Sequence, residues 1–368
     1  MPIPFNDIKA QLASQEQALR EAFERVLARG WYLMGPETEA FEQEFAAWVG
    51  TRFCVSLNSG TDALILALKA LGCEGGEVVL PAFTALPCYH AVLAAGCIPV
   101  FAEVDEQSYC LSPQSAARMI TEQTRAVIGV HLYGHPCDLD SLEDLCRKRG
   151  VAFIEDCAQA HGAVAGGRGA GTVGELAAYS FYPTKNLGAL GDAGAICGSH
   201  VEADQALRRL RQYGESKRYE CVIPGVNSRM DELQAAFLRE RLKHMDRTTA
   251  ERRMLAEIYD EGLAGLPVIT PTVAEGCEHV YHLYVIRSQR RDELAAFLAA
   301  RGIGTGQHYP IPGHKQALFT DGKVPFRADE LGLTERMAAQ ILSLPLFPGL
   351  ETEQVDEVCT AIREFHQG

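Results

Sequence analysis

The chain has 368 residues, a hydrophobic content of 47% and a formal net charge of −14 at pH 7. This length allows one large domain and a smaller one, and so acidic a surface argues against a nucleic-acid or membrane partner. No run approaches the roughly 20 apolar residues of a membrane-spanning helix, and residues 1–7 lack the basic and apolar pattern of an export signal. We therefore predict a soluble, cytoplasmic protein.

The chain contains twelve cysteines. Their spacing is irregular and includes no Cys-x-x-Cys pair, whereas metal and redox sites are built from close pairs. We therefore predict free thiols and no metal site.

Short apolar runs alternate with segments of helical periodicity over the first two thirds of the chain. The strand-like runs are 78–80, 126–130, 151–154 and 193–197, and the helical segments include 62–71 and 140–148. Several runs are rich in Val and Ile, as in strands covered on both faces. The alternation predicts an α/β fold with a mostly parallel sheet and helices on both sides.

The last third of the chain indicates a second unit. Residues 230–263 have the apolar stripe of one long amphipathic helix, whose later part could link two domains. Beyond it we predict a strand at 281–286 and helices at 291–301 and 353–365. The predicted division is a large domain of residues 1–250 and a small C-terminal α+β domain of residues 251–368.

A turn of small residues opens the helix predicted after Ser59. Helix starts carry unpaired N–H groups and a partial positive charge, which suit a phosphate group. Gly60 allows close approach of the backbone, and Thr61 adds a hydroxyl donor. The alternative is an ordinary helix cap.

The strand predicted at 151–154 leads into a polar segment that contains Asp156, Ala158 and Gln159. Ligands of open α/β sheets bind beyond the carboxyl ends of the strands. Asp156 could pair with a protonated ring nitrogen there, or it could cap a helix.

Lys185 lies between apolar segments in residues 179–194. Burial favours the neutral amine, which is the form that makes Schiff bases; the alternative is a lysine that reaches solvent. A phosphate-binding turn, a strand-end acid and a later lysine, in this order, are what a pyridoxal-phosphate (PLP) site requires.

These motifs resemble those of the DegT/StrS family of nucleotide-sugar aminotransferases. The same resemblance is found in segments 35–42, 225–236 and 343–348. The resemblance runs nearly end to end. It implies the PLP fold type I of aspartate aminotransferase, with a large domain around the parallel sheet.

The resemblance also implies a role for each site residue. Lys185 would form the Schiff base and move the proton between two carbons, Asp156 would contact the pyridine nitrogen, and Gln159 the phenolic oxygen. The remaining cofactor contacts implied are Gly60, Thr61 and Ser180 at the phosphate, Asn227 of the neighbouring subunit at the same phosphate, and Ala158 on one ring face. A homodimer with shared active sites is therefore expected.

Three segments resemble those of family members that act on 3-keto sugars, which are often linked to thymidine diphosphate. These segments are 212–219, 227–236 and 308–314. The resemblance implies glutamate as the amino donor and ping-pong kinetics. His308 and Tyr309 would line the sugar pocket, or they pack a proline-rich turn. Arg229 could contact the donor carboxylate or the sugar diphosphate, or form a structural salt bridge.

One position departs from the family pattern. Most members carry an aromatic residue after the threonine that matches Thr84, and here it is Ala85. Tyr89 could cover the cofactor ring instead, or that face is more open.

Two alternative functions make different demands on these residues. A sugar dehydratase of the same family would lack the lysine, and a PLP-binding regulator would not require Lys185, Asp156 and Gln159 together.

Overall fold

The computed structural model describes residues 2–367. The helices are α1 (Ile8–Leu12), α2 (Glu16–Arg29), α3 (Pro36–Val49), α4 (Gly60–Ala70), α5 (Leu86–Ala94), α6 (Pro113–Met119), α7 (Leu139–Arg149), α8 (Val201–Leu210), α9 (Glu232–Leu242), α10 (Met245–Gly262), α11 (Arg291–Ala300), α12 (Ala317–Thr320), α13 (Gly332–Gln340) and α14 (Thr352–Gln367). The strands are β1 (Phe53–Leu57), β2 (Glu77–Pro81), β3 (Ile98–Ala102), β4 (Thr124–Val130), β5 (Ala152–Asp156), β6 (Val164–Ala165), β7 (Arg168–Gly169), β8 (Leu176–Ser180), β9 (Gly194–Gly198), β10 (Glu215–Lys217), β11 (Glu220–Cys221), β12 (Cys277–Glu278), β13 (Tyr284–Arg287), β14 (Arg327–Ala328) and β15 (Ile341–Leu344). No helix among residues 2–367 is long and apolar enough to cross a membrane.

The central sheet has eight strands in the order β1-β9-β8-β5-β4-β2-β3-β14. Only β9 runs against its two neighbours, and the other adjacent pairs are parallel. The predicted mostly parallel sheet is confirmed, and the four predicted strands lie in β2, β4, β5 and β9. The reversed direction of β9 was not predicted, because its apolar run has the composition of the parallel strands.

Both faces of the sheet are covered, as predicted. In β2, Val78 and Leu80 pack with α4 and α5, whereas Val79 packs with α6 and α7. Successive strand residues point to opposite faces, so a continuous apolar run needs helices on both sides.

The predicted long helix at 230–263 is wrong as one element. It is two helices, α9 and α10, separated by Lys243 and His244. Each has its own apolar partner: Leu238 of α9 joins the core around β8 and β9, and Tyr259 of α10 joins the core beneath β13 and α14. The apolar period continues through so short a break, so the sequence did not reveal it.

The predicted domain boundary near residue 250 falls inside α10. Ile3, from the start of the chain, belongs to the C-terminal core with β13, β15 and α14, and β14 pairs with β3 of the central sheet. The division at residue 250 stays a prediction. The strand predicted from Tyr281 begins only at Tyr284, because Tyr281 has a φ of 42°.

A buried carboxylate joins two of the family-like segments. Glu232 accepts hydrogen bonds from the N–H groups of Gly35, Glu37 and Thr38 at 2.9, 2.9 and 2.8 Å. An anion stabilises the N-terminus of a helix, here α3. A Cβ on Gly35 would lie 2.9 Å from a Glu232 carboxylate oxygen, so this position requires glycine.

Candidate active site

A cavity of about 350 Å³ opens where the parallel strands end. Loops after β1, β2, β4, β5 and β8 meet at this edge, which is where open α/β sheets bind their ligands. The predicted site residues that line it are Gly60, Thr61, Asp156, Ala158, Gln159, Ser180, Lys185 and Tyr309.

The start of α4 and the end of β8 are packed in direct contact at one end of the cavity. Ser59 caps the helix, its hydroxyl accepting from the N–H of Asp62 at 3.1 Å. The N–H groups of Gly60 and Thr61 have no acceptor within the helix. A Cβ on Gly60 would lie 2.6 Å from the Cβ of Ser180, so only glycine allows this approach. Helix amides and two hydroxyl-bearing side chains thus meet in one anion-binding cradle.

We expect Gly60→Ala to damage this cradle, because the added methyl group must push the helix start away from Ser180. The loss of stability should be about 1–3 kcal/mol, with a drop in phosphate-ligand affinity of about tenfold or more. Thermal melting with and without PLP measures both effects. Gly332→Ala is the matched control, because Gly332 also begins a helix but a Cβ there meets nothing closer than 3.6 Å. Equal effects of the two substitutions would contradict the cradle.

Asp156 ends β5 and is 7% exposed. Burial raises the pKa of its carboxyl, opposed by a hydrogen bond from the N–H of Ala158 at 3.0 Å and by the charge of Lys185. The carboxylate is therefore held in place while its other oxygen is free to accept a bond from a ligand.

The neighbouring carboxylate, Glu155, braces the end of β5. It accepts hydrogen bonds from the N–H groups of Gly171, Val173 and Gly174 at 2.7–2.8 Å and contacts Nε2 of His131 at 2.9 Å. Burial acts to raise the pKa of Glu155, but these bonds outweigh it and hold the pKa below its usual value. Nδ1 of His131 accepts from the N–H of Cys137, so the proton is on Nε2 and points at Glu155.

This brace also explains a cluster of metal-ligand side chains. His131, Glu155 and Cys157 place potential ligand atoms within 4.8 Å of one another. Hydrogen bonds already occupy both ring nitrogens and both Glu155 oxygens, so the cluster has a structural explanation that needs no ion. The absence of a metal site stays a prediction.

Gln159 has a defined orientation. Its Oε1 accepts from the N–H of Tyr133 at 2.6 Å, and its Nε2 donates to the hydroxyl of Tyr309 at 3.0 Å. A backbone N–H can only donate, so the amide oxygen must face Tyr133 and the NH₂ group must face the cavity. Gln159 therefore presents a donor to an oxygen atom in the cavity.

Lys185 reaches the cavity from the turn after β8. Burial lowers the pKa of its amine to about 8, against the opposing charge of Asp156. A substantial fraction of the amine is therefore neutral near pH 8 and can act as a nucleophile.

Three histidines surround Lys185. Burial, followed by the charge of Lys185, lowers the pKa of His161 to about 3, that of His308 to about 4, and that of His282 well below its usual value. All three rings are neutral at physiological pH. The charged group that acts on Lys185 is therefore Asp156.

The sequence model of the DegT/DnrJ/EryC1/StrS aminotransferase family matches residues 13–363. The chain belongs to this family. It is 46% identical over 365 residues to the dTDP-3-amino-3,4,6-trideoxy-alpha-D-glucose transaminase of Streptomyces venezuelae, covering 99% of this chain and 96% of that protein. It is 41% identical over 365 residues to the erythromycin biosynthesis sensory transduction protein EryC1 of Saccharopolyspora erythraea, covering 99% of both.

The fold agrees with this assignment. The crystal structure of S. venezuelae DesV in complex with a ketimine intermediate matches with a TM-score of 0.96 and 44% identity, covering 100% of this chain and 99% of that one. This DegT/StrS family member is thus an aminotransferase-family enzyme with fold type I of the PLP enzymes, as predicted.

The suggestion that Tyr89 covers the cofactor ring is wrong. In this family member Tyr89 is 1% exposed and packs in the core against Phe101 and Phe319. Ala85 and the half-exposed Leu86 line the cavity instead. The position of Tyr89 on α5, one turn after the cavity wall, directs its ring to the apolar side of the helix.

Three predicted residues lie outside this cavity. Asn227 is exposed and paired with Gln212. Arg229 lines a separate open cavity of about 400 Å³ with the 212–219 segment. His308 is next to the site but bonds Ser343 through Nδ1 at 2.8 Å and stacks on Phe5.

Sequence reasoning missed the residues that hold the site from behind. His131, Glu155 and Tyr133 do not line the cavity. The N–H of Tyr133 orients Gln159, and the N–H of His131 donates to the backbone carbonyl of Asp156 at 3.1 Å, while His131 and Glu155 brace the end of β5. The available signal was the segment 131–135, which contains two histidines and a tyrosine directly after the β4 strand, at the edge where Asp156 was expected.

Proposed function

We propose that this enzyme transfers an amino group from an amino acid to a keto-deoxysugar carried on a nucleotide, with pyridoxal 5′-phosphate as cofactor. The observation that carries the proposal is Lys185, an amine of lowered pKa that shares one cavity with Asp156 and with the anion cradle of Gly60 and Ser180.

The residues present fit PLP. The cradle suits its phosphate, Lys185 suits its aldehyde, and Asp156 suits a protonated pyridine nitrogen. The NH₂ group of Gln159 faces the cavity and suits the phenolic oxygen. Ala158 lines the cavity where the ring would pack. When bound, PLP supplies an electron sink that weakens the Cα–H bond of the donor.

The chain's own groups supply the rest of the chemistry. Asp156 would accept a hydrogen bond from a protonated ring nitrogen, and the N–H of Ala158 and the charge of Lys185 favour its carboxylate form against burial, which raises the pKa. The neutral form of Lys185, an amine whose pKa burial lowers to about 8, can take up a proton as a general base and return it at a second carbon. The closely packed cradle keeps the cofactor in place during that proton transfer.

The substrate assignment rests on relatives. The most specific support is the dTDP-3-amino-3,4,6-trideoxy-alpha-D-glucose transaminase, which is 46% identical. We therefore propose a 3-keto sugar linked to thymidine diphosphate, with glutamate as donor and ping-pong kinetics. Tyr309 lines the cavity and would contact the sugar. His308 is close behind it.

Arg229 is proposed to contact an anionic part of a substrate. Its Nε is buried without a hydrogen-bond partner, and it forms no ion pair with any of residues 2–367. Arg208, Lys217, Arg218 and Glu215 line the same open cavity. Arg208 and Lys217 already form ion pairs with Glu42, Asp204 and Glu220, so Arg229 and Arg218 are the groups that favour an anion there. The structural salt bridge considered as the alternative has no partner in the described part of the chain.

The rival functions have less support. A dehydratase of this family would lack Lys185, which is present and reaches the cavity. A relative at 41% identity carries the name of a sensory transduction protein, but a binding protein without turnover would not need an amine of lowered pKa opposite Asp156.

The test is the visible spectrum of the protein loaded with PLP. Glutamate should bleach the band, and a dTDP-linked 3-keto sugar should restore it and yield an aminated product in mass spectrometry. Matched 4-keto and UDP-linked sugars define the specificity. A PLP-loaded protein whose band ignores every amino donor would refute the proposed reaction.

We also propose a homodimer with shared sites. Asn227 is exposed and does not line the cavity of its own chain, and Tyr219 of the adjacent hairpin is 83% exposed. Phe23, Leu27 and Leu190 border an open apolar groove elsewhere on the surface. Exposed apolar surface of this kind is typical of subunit contacts.

Mixing two inactive variants tests whether sites are shared. If Asn227 serves the partner's site, Lys185→Ala and Asn227→Asp subunits should combine into a heterodimer with one intact site. Co-refolded equal amounts should recover about a quarter of wild-type activity, because half of the dimers are mixed and each has one complete site. Absence of recovery, with mixed dimers confirmed by mass spectrometry, would refute a shared site.

A cytoplasmic location belongs to the same proposal. All twelve cysteines are free thiols, and free thiols are typical of a reducing compartment.

A further inference from the structure

The turn that carries Lys185 is fastened by the next residue, Asn186. This side chain is 5% exposed, and its Nδ2 donates to the carbonyl of Val280 at 3.0 Å. A carbonyl can only accept, so the amide oxygen must face the other way, toward His282. Nδ1 of His282 lies 3.2 Å from that oxygen and must carry the ring proton.

The segment 280–283 that receives Asn186 is itself held on both sides. The N–H groups of Val280 and Leu283 donate to the carbonyls of Gly134 and Tyr133 at 3.0 and 3.4 Å. Tyr133 is the residue that orients Gln159. A Cβ on Gly134 would lie 2.8 Å from a methyl carbon of Val280 and 3.1 Å from the backbone nitrogen of His282, so the segment packs directly on the Gly134 backbone.

The C-terminal core holds the segment from the other side. Arg252 of α10 is fully buried and donates through one guanidinium nitrogen to the carbonyls of Tyr281, His282 and Leu346 at 3.2, 3.4 and 3.2 Å. Hydrogen bonds therefore run from Arg252 to His282, and from His282 to Asn186, which is the residue next to Lys185.

We propose that His282 is a positioning residue for Lys185, acting as its neutral Nδ1–H tautomer through Asn186 to keep the amine directed into the cavity. The inference rests on the proposed function for its consequence in turnover, but the hydrogen bonds exist in the chain without cofactor. The groups that face Lys185 are Asp156, His161 and His308, besides His282. We call the hydrogen bond between Nδ1 of His282 and the amide oxygen of Asn186 the clamp. The three histidine rings are neutral, so loss of the clamp would change the direction of the Lys185 amine rather than remove a charge.

The first arm of the test uses the protein without cofactor. The pH dependence of Lys185 dimethylation, followed on its peptide by mass spectrometry, reports the pKa of the amine. His282→Leu should shift the midpoint upward from the wild-type value near 8, because a lysine released from the clamp moves toward solvent. His282→Asn should restore the wild-type midpoint, since its amide N–H takes the place of Nδ1–H.

The second arm uses the PLP-loaded enzyme. His282→Leu should lower kcat by about 10- to 100-fold with little change in KM, because a misdirected amine loses orientation rather than substrate binding. Asn186→Leu should have at least the same effect, because it also loses the bond to the Val280 carbonyl. The double variant should be no worse than Asn186→Leu, since both lose the same His282–Asn186 hydrogen bond. His279→Leu is the matched control: His279 is buried directly before segment 280–283 and accepts a hydrogen bond from the N–H of Tyr281, and it forms no hydrogen bond with Asn186.

The outcomes separate the inference from the proposed function. An unchanged Lys185 midpoint and kcat in His282→Leu, whatever its melting temperature, would overturn the positioning role. Equal losses in His282→Asn and His282→Leu, or additive losses in the double variant, would also overturn it. A wild-type protein that binds no PLP would refute the proposed function, while the dimethylation arm still decides the clamp.

Discussion

Lys185→Ala is expected to abolish turnover, with a fall in kcat of about four orders of magnitude or more. The variant loses both the amine that holds the cofactor and the base that moves the proton, and Asp156, the charged group beside it, cannot replace either role. Steady-state kinetics with glutamate and the keto-sugar measure the loss. Transamination at the wild-type rate by this variant would refute the mechanism.

Two controls separate this effect from misfolding. Burial lowers the pKa of Lys185 to about 8, so below that pH the folded chain holds a charged amine at a cost in stability. The free energy of unfolding of the cofactor-free wild type should therefore rise with pH above about 8, and Lys185→Ala should melt no lower than wild type at pH 7. Added ethylamine should restore part of the activity by occupying the vacated space.

Asp156→Asn is expected to lower kcat by about 10²–10³-fold while leaving stability nearly unchanged. The amide has the shape of the carboxylate and can keep the bond from the Ala158 N–H, but it cannot hold a proton on the ring nitrogen. Burial raises the pKa of Asp156, which shows that its charge opposes folding, so its removal should not destabilise the chain. A nearly wild-type rate would remove Asp156 from the proposed role.

Glu155→Gln is the matched control for this prediction. Glu155 is the adjacent residue and is 0% exposed, but its charge is stabilised by three backbone N–H groups and His131. Glu155→Gln should lower the free energy of unfolding by about 3 kcal/mol, because N–H donors that now meet a carboxylate oxygen would face the NH₂ group of the glutamine. In chemical denaturation, Glu155→Gln should lose more stability than Asp156→Asn. In steady-state kinetics, Asp156→Asn should lose more kcat than Glu155→Gln. The same ranking by both measurements would contradict the division of roles.

Two parts of the site that the sequence predicted share one property. Gly60 lies at the start of a predicted helix and Asp156 lies just after a predicted strand, and in a parallel sheet these ends meet at one edge. Their proximity therefore followed from the predicted sheet, whereas no predicted strand or helix ended at Lys185. Their roles at the cofactor came from the family resemblance and stay proposals.

The predictions that failed concern orientation and continuity. Tyr89 points into the core because α5 turns its ring toward Phe101, which no local pattern reveals. The helix break at Lys243 and His244 interrupts no apolar period. The antiparallel direction of β9, for which the sequence made no prediction, is hidden in the same way, because its apolar run has the composition of the parallel strands. Each of these features depends on contacts between segments far apart in the chain.

The sequence by itself determined the α/β fold class, the order of the site motifs and the family, because apolar periodicity and local motifs are properties of neighbouring residues. Only the tertiary structure decided that Glu155 is a brace while Asp156 faces the cavity, that Gln159 presents its NH₂ group, and that His282 reaches Lys185 through Asn186. Adjacent residues on a strand point in opposite directions, and the partner of a site residue can lie 150 residues away in the chain, as between Gln159 and Tyr309. Which donor meets which acceptor is therefore set by packing, after the strands and helices are in place.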